Sequence, residues 1–303
     1  MSFVRGEVRV SVPATSANLG PGYDSLGLAL GLRDELTATT IHDGLEVVVE
    51  GEGAGALPLD ESHLVVRSMW AGFGAMGIAP PGIRLHCRNV IPHARGLGSS
   101  SAAIVGGLGL ARALVSDGPS RLSDGDLVQL AADLEGHPDN VAPAALGGFT
   151  ISGREGMSWY AVSAPVDPRI RAVAFVPPYS LSTELARSLL PASVPHADAA
   201  ADAGRTALLV AALGGAPEHL LTATRDYLHQ DYRRPAMPES LALVDALRAD
   251  GVPAVVSGAG PTVLAFLADG VPGLLAAADL RGRCPGGWVA HELDVDRSGV
   301  RVG

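Results

Sequence analysis

The chain has 303 residues, 47% of them hydrophobic and 18% charged, a composition typical of a globular protein long enough for two domains. Its formal net charge is −10 and it has no basic cluster, which argues against nucleic acid or a membrane surface as a partner. All 22 basic residues are arginines, which excludes Walker A NTPases, protein kinases and Schiff-base enzymes, because each of these needs a lysine.

The cysteines and the first residues both favour a cytoplasmic location. Cys87 and Cys284 have no metal-ligand spacing, which is typical of free thiols in a reducing compartment. Residues 1–13 lack the apolar core of a signal peptide, and no uninterrupted apolar run reaches the ~18 residues of a membrane span. We therefore expect a cytoplasmic protein.

The first element is a strand over residues 7–12, where apolar and polar residues alternate. Residues 13–27 then predict a long, turn-rich loop that carries one amide, Asn18, and one carboxylate, Asp24. A loop of this length in a compact domain is usually functional. The alternative is a structural loop in which both side chains bond the local backbone.

Further strands and one helix precede the most informative segment. The predicted strands are residues 28–32, 34–41, 45–50 and 83–91, and the predicted helix is residues 62–76.

Residues 92–103, PHARGLGSSSAA, link the strand at 83–91 to a buried helix over 102–114. A strand, a Gly/Ser loop and a helix start together make an anion site, because the first helical N–H groups have no internal partner. Gly96 and Gly98 allow the backbone to approach a phosphate closely. Ser99, Ser100 and Ser101 offer hydroxyls to the helix, to phosphate or to Mg²⁺. An ordinary Gly/Ser turn before a helix is the alternative.

A second polar segment follows the helix predicted over residues 122–134. It is EGHPDN, and it places Glu135, His137, Asp139 and Asn140 within six residues, beside prolines and glycines. Prolines fix the shape of a loop and glycines allow close approach. This density of polar groups favours a functional loop over a simple turn between two helices.

The second half contributes two arginines and another glycine loop. Arg187 lies one turn into a helix predicted within residues 180–191, with Ser182 or Thr183 as its cap. Arg233 lies in a charged segment, residues 230–235. Two predicted strands within residues 252–267 are joined by Ser-Gly-Ala-Gly-Pro, and this turn is suited to face a ligand or the first glycine loop. A plain glycine hairpin is the alternative. The turn at residues 153–156 predicts a domain linker.

Three of these segments, residues 13–27, 92–103 and 256–264, resemble in this order the motifs of the GHMP kinase superfamily. Within it, PATSANLGPGYDSLG, RGLGSSSAAIVGG, EGHPDNVAPAALGG and STELAR-x-LLP are most similar to the homoserine kinase family. The resemblance extends over almost the whole chain. It implies an α+β, two-domain GHMP kinase fold. Residues 1–155 would form a domain like domain 2 of ribosomal protein S5, and residues 156–303 a ferredoxin-like domain. It also implies a homodimer.

The resemblance implies that the enzyme transfers the γ-phosphoryl group of ATP to the hydroxyl of L-homoserine, with Mg²⁺, in threonine biosynthesis. The implied nucleotide-binding residues are Pro92, Arg95, Gly96, Leu97, Gly98, Ser99, Ser100, Ser101, Gly258 and Gly260. The implied metal ligands are Ser100 and Glu135. The implied substrate-binding residues are Asn18, Asp24, His137, Asp139, Asn140, Thr183, Arg187 and Arg233.

The catalytic base is the open point of this assignment. Mevalonate-type members use an Asp and a Lys near the transferred group, but this chain has Asn140 at that position and no lysine. We therefore expect direct transfer without a strong base, with Asp24, Asn140 and Arg187 as the catalytic residues. Late proton transfer to Asp24 or Asp139 is the alternative mechanism.

Three alternative functions stay open. They are a kinase for another small alcohol, an inactive relative that senses a nucleotide, and a structural protein with coincidental glycine loops.

Overall fold

The computed structural model describes residues 3–80, 82–271, 274 and 276–303. Its strands are β1 (Val8–Asn18), β2 (Gly22–Thr40), β3 (Gly44–Gly51), β4 (Gly82–Asn89), β5 (Phe149–Glu155), β6 (Ser158–Ala164), β7 (Ile170–Val176), β8 (Ala254–Val256), β9 (Val263–Ala268), β10 (Val289–Asp294) and β11 (Arg301–Val302). The α-helices are α1 (Leu64–Ala75), α2 (Ser99–Leu114), α3 (Gly118–Arg121), α4 (Asp124–Glu135), α5 (Val141–Leu146), α6 (Thr183–Ser188), α7 (His196–Gly214), α8 (Leu220–Ala223), α9 (Pro238–Ala249) and α10 (Ala277–Arg281).

The strands form two sheets. The first has the order β11-β1-β2-β4-β3, with β5 paired to another part of β2 and β6 paired to β5. Its pairs are antiparallel except for β3 and β4, which are parallel. The second sheet has the order β10-β7-β9-β8 and is antiparallel. This mixture of helices and antiparallel sheets confirms the expected α+β class.

Helix α2 lies between the first sheet and helix α1, and small residues let it approach both. A Cβ on Gly106 would lie 2.3 Å from Leu36 Cδ1, and one on Gly107 would lie 2.5 Å from Val65 O. Glycine usually weakens a helix, but here it permits the close packing that fixes the position of α2.

The prediction of a long loop over residues 13–27 is wrong, because this segment is a β-hairpin. Strand β1 continues to Asn18 and β2 begins at Gly22, which leaves a three-residue turn. Asn18, Leu19 and Gly20 have φ values of 67°, 54° and 88°, so the chain reverses through the left-handed region. The turn-forming residues therefore mark a tight reversal and strand irregularities. One irregularity is the register shift after Pro13.

The predicted linker at residues 153–156 is also wrong, because it lies in the β5–β6 hairpin, where Glu155 is paired with Ser158. The predicted boundary between residues 155 and 156 falls inside this hairpin. By sheet membership the first unit extends to Ala164 and also includes β11.

Other predictions agree with the observed elements within a few residues. The buried helix expected over 102–114 begins slightly earlier, at Ser99. Ser182 caps α6 by accepting from the Leu185 N–H at 3.1 Å. In the described part of the chain no helix is long and apolar enough to cross a membrane.

Candidate active site

The start of α2 forms one wall of a cavity of about 270 Å³. Gly98 precedes the helix with a left-handed φ of 68°, and among the described residues no side chain caps the first turn. Free N–H groups and the helix dipole together give this end partial positive charge. Gly96, Gly98, Ser99 and Ser100 all line the cavity. This wall is therefore suited to bind an anion such as a phosphate group.

The two glycine loops pack directly on each other, as the sequence allowed. Ser257 Oγ donates to Gly96 O at 2.6 Å, and a Cβ on Gly96 would lie 2.2 Å from Ser257 O. A Cβ on Gly98 would lie 1.9 Å from Thr15 Oγ1. Since Gly96 and Gly98 also have positive φ, only glycine fits both positions without strain. The backbone that faces the cavity is thereby fixed between β1 and the β8–β9 turn.

A carboxylate and two hydroxyls meet beside this helix start. Ser100 Oγ donates to Glu135 Oε1 at 2.6 Å, and Ser101 Oγ donates to the same oxygen at 3.1 Å. Glu135 is the last residue of α4, where Gly136 turns the chain with a φ of 87°. Ser100 and Glu135 line the cavity, and their oxygens are of the hard type that Mg²⁺ prefers.

Within the described residues there is no group of three or more His, Cys, Asp or Glu side chains that could hold a metal. An ion bound by Ser100 and Glu135 would therefore take its other ligands from water and phosphate oxygens, as Mg²⁺ commonly does.

Asp24 and Arg187, which also line the cavity, form an ion pair. Arg187 Nη2 lies 2.7 Å from Asp24 Oδ1, and its Nη1 lies 3.1 Å from Asp24 Oδ2 and 3.0 Å from the Tyr23 hydroxyl. The hydrogen bond with Asp24 raises the pKa of Arg187 despite partial burial. Asp24 has a φ of 52°, and its N–H donates to Asn18 Oδ1 at 3.0 Å. Asn18 in turn donates to Gly258 O at 2.8 Å, which ties this pair to the second glycine loop.

Arg233 is a buried guanidinium, only 1% exposed, that lines the same cavity. Its Nε donates to Ala186 O at 3.2 Å, and its Nη1 donates to His229 Nδ1 at 2.9 Å and to Gly258 O at 3.2 Å. Burial lowers its pKa. No carboxylate of the described residues lies within salt-bridge distance of it, which is unusual because an unpaired buried charge is costly.

The EGHPDN segment supplies the remaining polar wall. His137 Nδ1 lies 2.8 Å from Asp139 Oδ1. Burial disfavours the charged imidazole, but the hydrogen bond and the negative charges of Asp139 and Glu135 outweigh it, so the pKa of His137 is raised. Asn140 Oδ1 accepts from Thr15 Oγ1 at 2.8 Å, which links this segment to β1.

Two kinds of comparison, with protein-family models and with known proteins, indicate the same family. The family model described as GHMP kinases N terminal domain matches residues 63–148, and the GHMP kinases C terminal model matches residues 208–285. A homoserine kinase from Streptomyces avermitilis is 54% identical over 99% of this chain and 97% of the relative. A homoserine kinase from Clavibacter michiganensis is 49% identical over 97% of this chain and 93% of the relative.

Solved structures agree with the sequence comparison. The crystal structure of homoserine kinase from Cytophaga hutchinsonii matches with a TM-score of 0.86 and 25% identity, over 100% of this chain and 99% of that one. This chain belongs to the homoserine kinase family of the GHMP kinases. It is accordingly an ATP-dependent kinase with the two-domain GHMP kinase fold, as the sequence motifs predicted.

The cavity of this family member brings together most of the predicted site residues. The predicted residues that line it are Asn18, Asp24, Gly96, Gly98, Ser99, Ser100, Glu135, His137, Asp139, Asn140, Thr183, Arg187, Arg233 and Gly258. The predicted residues that do not line it are Pro92, Arg95, Leu97, Ser101 and Gly260. Arg95 instead donates to the carbonyl oxygens of Pro177 at 3.0 Å and Pro178 at 2.9 Å, and Leu97 is buried in the core.

A second, mostly apolar cavity of about 300 Å³ shares Ser99 and Ser100 with the first. Leu57, Pro58 and His63 are among its other lining residues. His63 Nδ1 accepts from the Val65 N–H at 3.2 Å, which caps α1. The start of α2 therefore separates a polar cavity from an apolar one.

Sequence reasoning missed two residues of the kinase site. Tyr23 lies between Arg187 and Arg233, with each guanidinium carbon 5.7 Å from its ring centroid. His229 contacts both Arg233 and the Tyr23 ring. Tyr23 is adjacent to Asp24 in a motif that was already identified, so its position in that motif could have indicated it. His229 lies in a bend four residues before Arg233, outside the short 3₁₀ helix Asp231–Ala236, and no sequence motif pointed to it.

Proposed function

We propose that this chain is an ATP- and Mg²⁺-dependent kinase for L-homoserine that makes O-phospho-L-homoserine and ADP. The observation that carries the proposal is the buried Arg233, which lines the cavity without a carboxylate partner among the described residues. A buried guanidinium with free hydrogen-bonding capacity beside a cavity is suited to receive a substrate carboxylate. Its distance from solvent strengthens that interaction.

The ion pair between Asp24 and Arg187 supports an amino acid as the acceptor. Asp24 and Arg187 carry one charge of each sign, and both line the cavity. A zwitterion presents the complementary pair, since its ammonium group suits Asp24 and its carboxylate suits an arginine. A neutral polyol or a plain hydroxy acid would satisfy only part of this arrangement.

The two cavities that meet at α2 support a nucleotide as the donor. The uncapped helix start and the glycine backbone suit its phosphates. The apolar cavity, lined by Leu57 and His63, suits a flat base. Since Ser99 and Ser100 border both cavities, the terminal phosphate would lie next to the acceptor cavity.

Ser100 and Glu135 fit a magnesium ion by the chemistry of their donors, a hydroxyl and a carboxylate on adjacent elements. When bound, the ion supplies neutralising charge for the phosphates. Without a cation, the carboxylate of Glu135 would repel an incoming phosphate group. Its position next to the helix start is therefore most consistent with a metal role.

The transfer breaks the bond between the γ-phosphorus and the ADP oxygen and forms one to the acceptor oxygen, which loses its proton. Phosphoryl transfer has a loose transition state, so positioning and charge stabilisation supply most of the rate. Arg187 and the start of α2 can stabilise the charge that develops. Asn140 accepts a hydrogen bond from Thr15, consistent with a positioning role rather than that of a base.

Two carboxylates offer the alternative of late proton transfer. Asp24 is held by Arg187, and Asp139 is 2% exposed and lies 2.8 Å from His137. Asp24→Asn and Asp139→Asn separate the mechanisms. We expect both variants to raise the KM for homoserine with little change in kcat. Losses confined to the KM for homoserine would count against a base role for either residue, whereas a loss of kcat would favour late proton transfer.

An ADP-release assay with ATP and Mg²⁺ tests the substrate. The acceptors are L-homoserine, 4-hydroxybutyrate, 3-amino-1-propanol, mevalonate, galactose and none. The two truncated analogues remove the ammonium and the carboxylate in turn. We expect turnover with L-homoserine well above all others. ADP release with another alcohol alone would refute the substrate assignment, and nucleotide binding without ADP release would indicate a sensor.

Arg233→Gln and Arg234→Gln provide a matched pair for this assay. Arg233 lines the cavity, whereas Arg234 pairs with Asp231 and Asp245 on the surface. We expect Arg233→Gln, but not Arg234→Gln, to raise the KM for L-homoserine. Neither variant should change the KM for 3-amino-1-propanol, because that analogue has no carboxylate. The homodimer and the cytoplasmic location stay predictions from the family resemblance and the sequence.

A further inference from the structure

A third cavity, of about 570 Å³, lies between the segment that follows α8 and helix α9. Three arginines line it: Arg205 of α7, Arg225, and Arg248 of α9. Within the described part of the chain, none of the three lies within salt-bridge distance of a carboxylate. It shares no lining residue with the candidate active site. The kinase reaction proposed above therefore gives these arginines no role.

The carboxylates in the same wall are already engaged by other groups. Asp226 accepts from the N–H groups of Leu228, His229 and Gln230 at 3.0, 3.1 and 2.7 Å. Asp231 and Asp245 both pair with Arg234, at 2.7 and 2.9 Å. These three carboxylates also line the cavity, but their hydrogen bonds and ion pairs are made with other groups, so the guanidinium groups of the three arginines remain available to a ligand.

Arg248 is held in place by neutral acceptors only. Its Nη1 donates to Thr224 Oγ1 at 2.8 Å and its Nη2 donates to Leu221 O at 2.7 Å. Burial and the nearby charge of Arg225 lower the pKa of Arg248, so an anion placed between them would relieve a repulsion. Arg205 Nε is buried and has no hydrogen-bond partner. Two of the three arginines therefore have unmet capacity to donate or to pair.

We propose that this cavity binds the oxyanion group of a small metabolite, a phosphate or a carboxylate, between Arg205, Arg225 and Arg248. A guanidinium group matches both kinds of oxyanion through two parallel N–H donors. Arg248 is fixed by the backbone of α8, whereas the exposed Arg225 stacks on the Tyr227 ring at 5.3 Å. The first provides a preset contact, and the second closes over the ligand from the solvent side.

Calorimetric titration of the full chain with inorganic phosphate, and separately with acetate, tests the site. The test variant is Arg205→Gln/Arg225→Gln, which leaves the hydrogen bonds of Arg248 intact. Phosphate also suits the start of α2, and acetate also suits Arg233, so we expect two binding events in the unchanged protein for each anion that this third cavity accepts. The variant should weaken one of the two events by about tenfold or more. Arg233→Gln should leave that event unchanged.

The matched control is Arg84→Gln/Arg283→Gln, which removes two exposed charges paired with Glu46 and Asp250. Thermal unfolding of each variant checks that it folds. Loss of phosphate binding alone assigns a phosphate ligand, and loss of acetate binding alone assigns a carboxylate. Binding that is unchanged in the test variant, or weakened equally in the control, would overturn the proposal. The outcome is independent of which acceptor the kinase uses.

Discussion

Arg233 Nη1 donates to His229 Nδ1 at 2.9 Å, and both side chains are buried. An imidazole that accepts at Nδ1 must be neutral and carries its proton at Nε2, which donates to Gly20 O at 2.8 Å. His229 therefore fixes the orientation of Arg233 and joins it to the β1–β2 turn. Protonation of His229 would destroy the first bond and place two positive charges side by side.

This relationship predicts that the folded protein loses stability in mild acid. Burial lowers the pKa of His229, so below its ordinary value of about 6.5 the unfolded chain binds a proton that the folded chain does not. The free energy of unfolding should fall as the pH drops from 7.5 to 5.5. Urea unfolding of the unchanged protein and of His229→Gln measures this, and the variant should show a shallower fall. The variant His42→Gln, at an exposed histidine, serves as the control, and equal slopes in all three proteins would contradict the prediction.

The half-buried Arg33 and the buried Arg233 should respond differently to replacement by methionine. Arg33 pairs with Asp296, whereas Arg233 has no carboxylate partner among the described residues. Arg33→Met leaves the buried Asp296 carboxylate with only the exposed Arg301 as its counter-ion, at 3.2 Å, and should cost about 2 kcal/mol of unfolding free energy, with the KM for the acceptor unchanged. Arg233→Met should cost much less stability but raise that KM at least about tenfold. Chemical unfolding and steady-state kinetics on both variants check the contrast, and similar profiles for the two would refute it.

The contact between Ser100 and Glu135 predicts a change in magnesium dependence. Glu135→Gln keeps the shape but removes the charge, so we expect the Mg²⁺ concentration for half-maximal activity to rise and kcat to fall about 100-fold. Ser100→Ala should act in the same direction. Ser101→Ala is the control, because Ser101 bonds the same oxygen but does not line the cavity. A Glu135→Gln enzyme with unchanged Mg²⁺ dependence would exclude this carboxylate as a ligand.

Glycine at position 98 should be irreplaceable, whereas Gly74 should tolerate alanine. At Gly98 a Cβ would lie 1.9 Å from Thr15 Oγ1, and φ is 68°. Gly98→Ala should therefore lose about 2 kcal/mol of stability and weaken nucleotide binding. Gly74, in α1, has open space around its Cβ position, so Gly74→Ala should gain about 0.5 kcal/mol. Thermal unfolding and nucleotide titration measure both effects. The double variant Thr15→Ala/Gly98→Ala should recover only the stability that the clash with Thr15 costs, and not the stability that the left-handed φ costs.

The sequence predicted those parts of the site that rest on local chemistry. The Gly/Ser segment before α2 was identified because helix starts have a general affinity for anions, and its glycines contact the neighbouring backbone as expected. Glu135 and Asp24 stood out as carboxylates among turn residues. Arg187 and Arg233 were suggested only by the family resemblance, since an isolated arginine carries no positional signal.

The remaining features depend on contacts between distant segments. The hairpin at residues 13–27 was mistaken for a loop, because proline and glycine mark both a bulged strand and a turn. Arg95 was predicted at the nucleotide, but its guanidinium lies against Pro177 and Pro178. Nothing in a single sequence gives the direction of a long side chain. The role of His229 likewise follows only from its contacts with Arg233 and Gly20.

The pairing of Arg33 with Asp296 also bears on the order in which this chain can assemble during synthesis. Strand β11 and Asp296 come after every strand of the second sheet, yet they pair with β1 and with Arg33 in the first. Until that late segment emerges from the ribosome, β1 has an open edge and Arg33 lacks its counter-ion. We therefore expect the amino-terminal unit to reach its full stability only after these last residues have been synthesised.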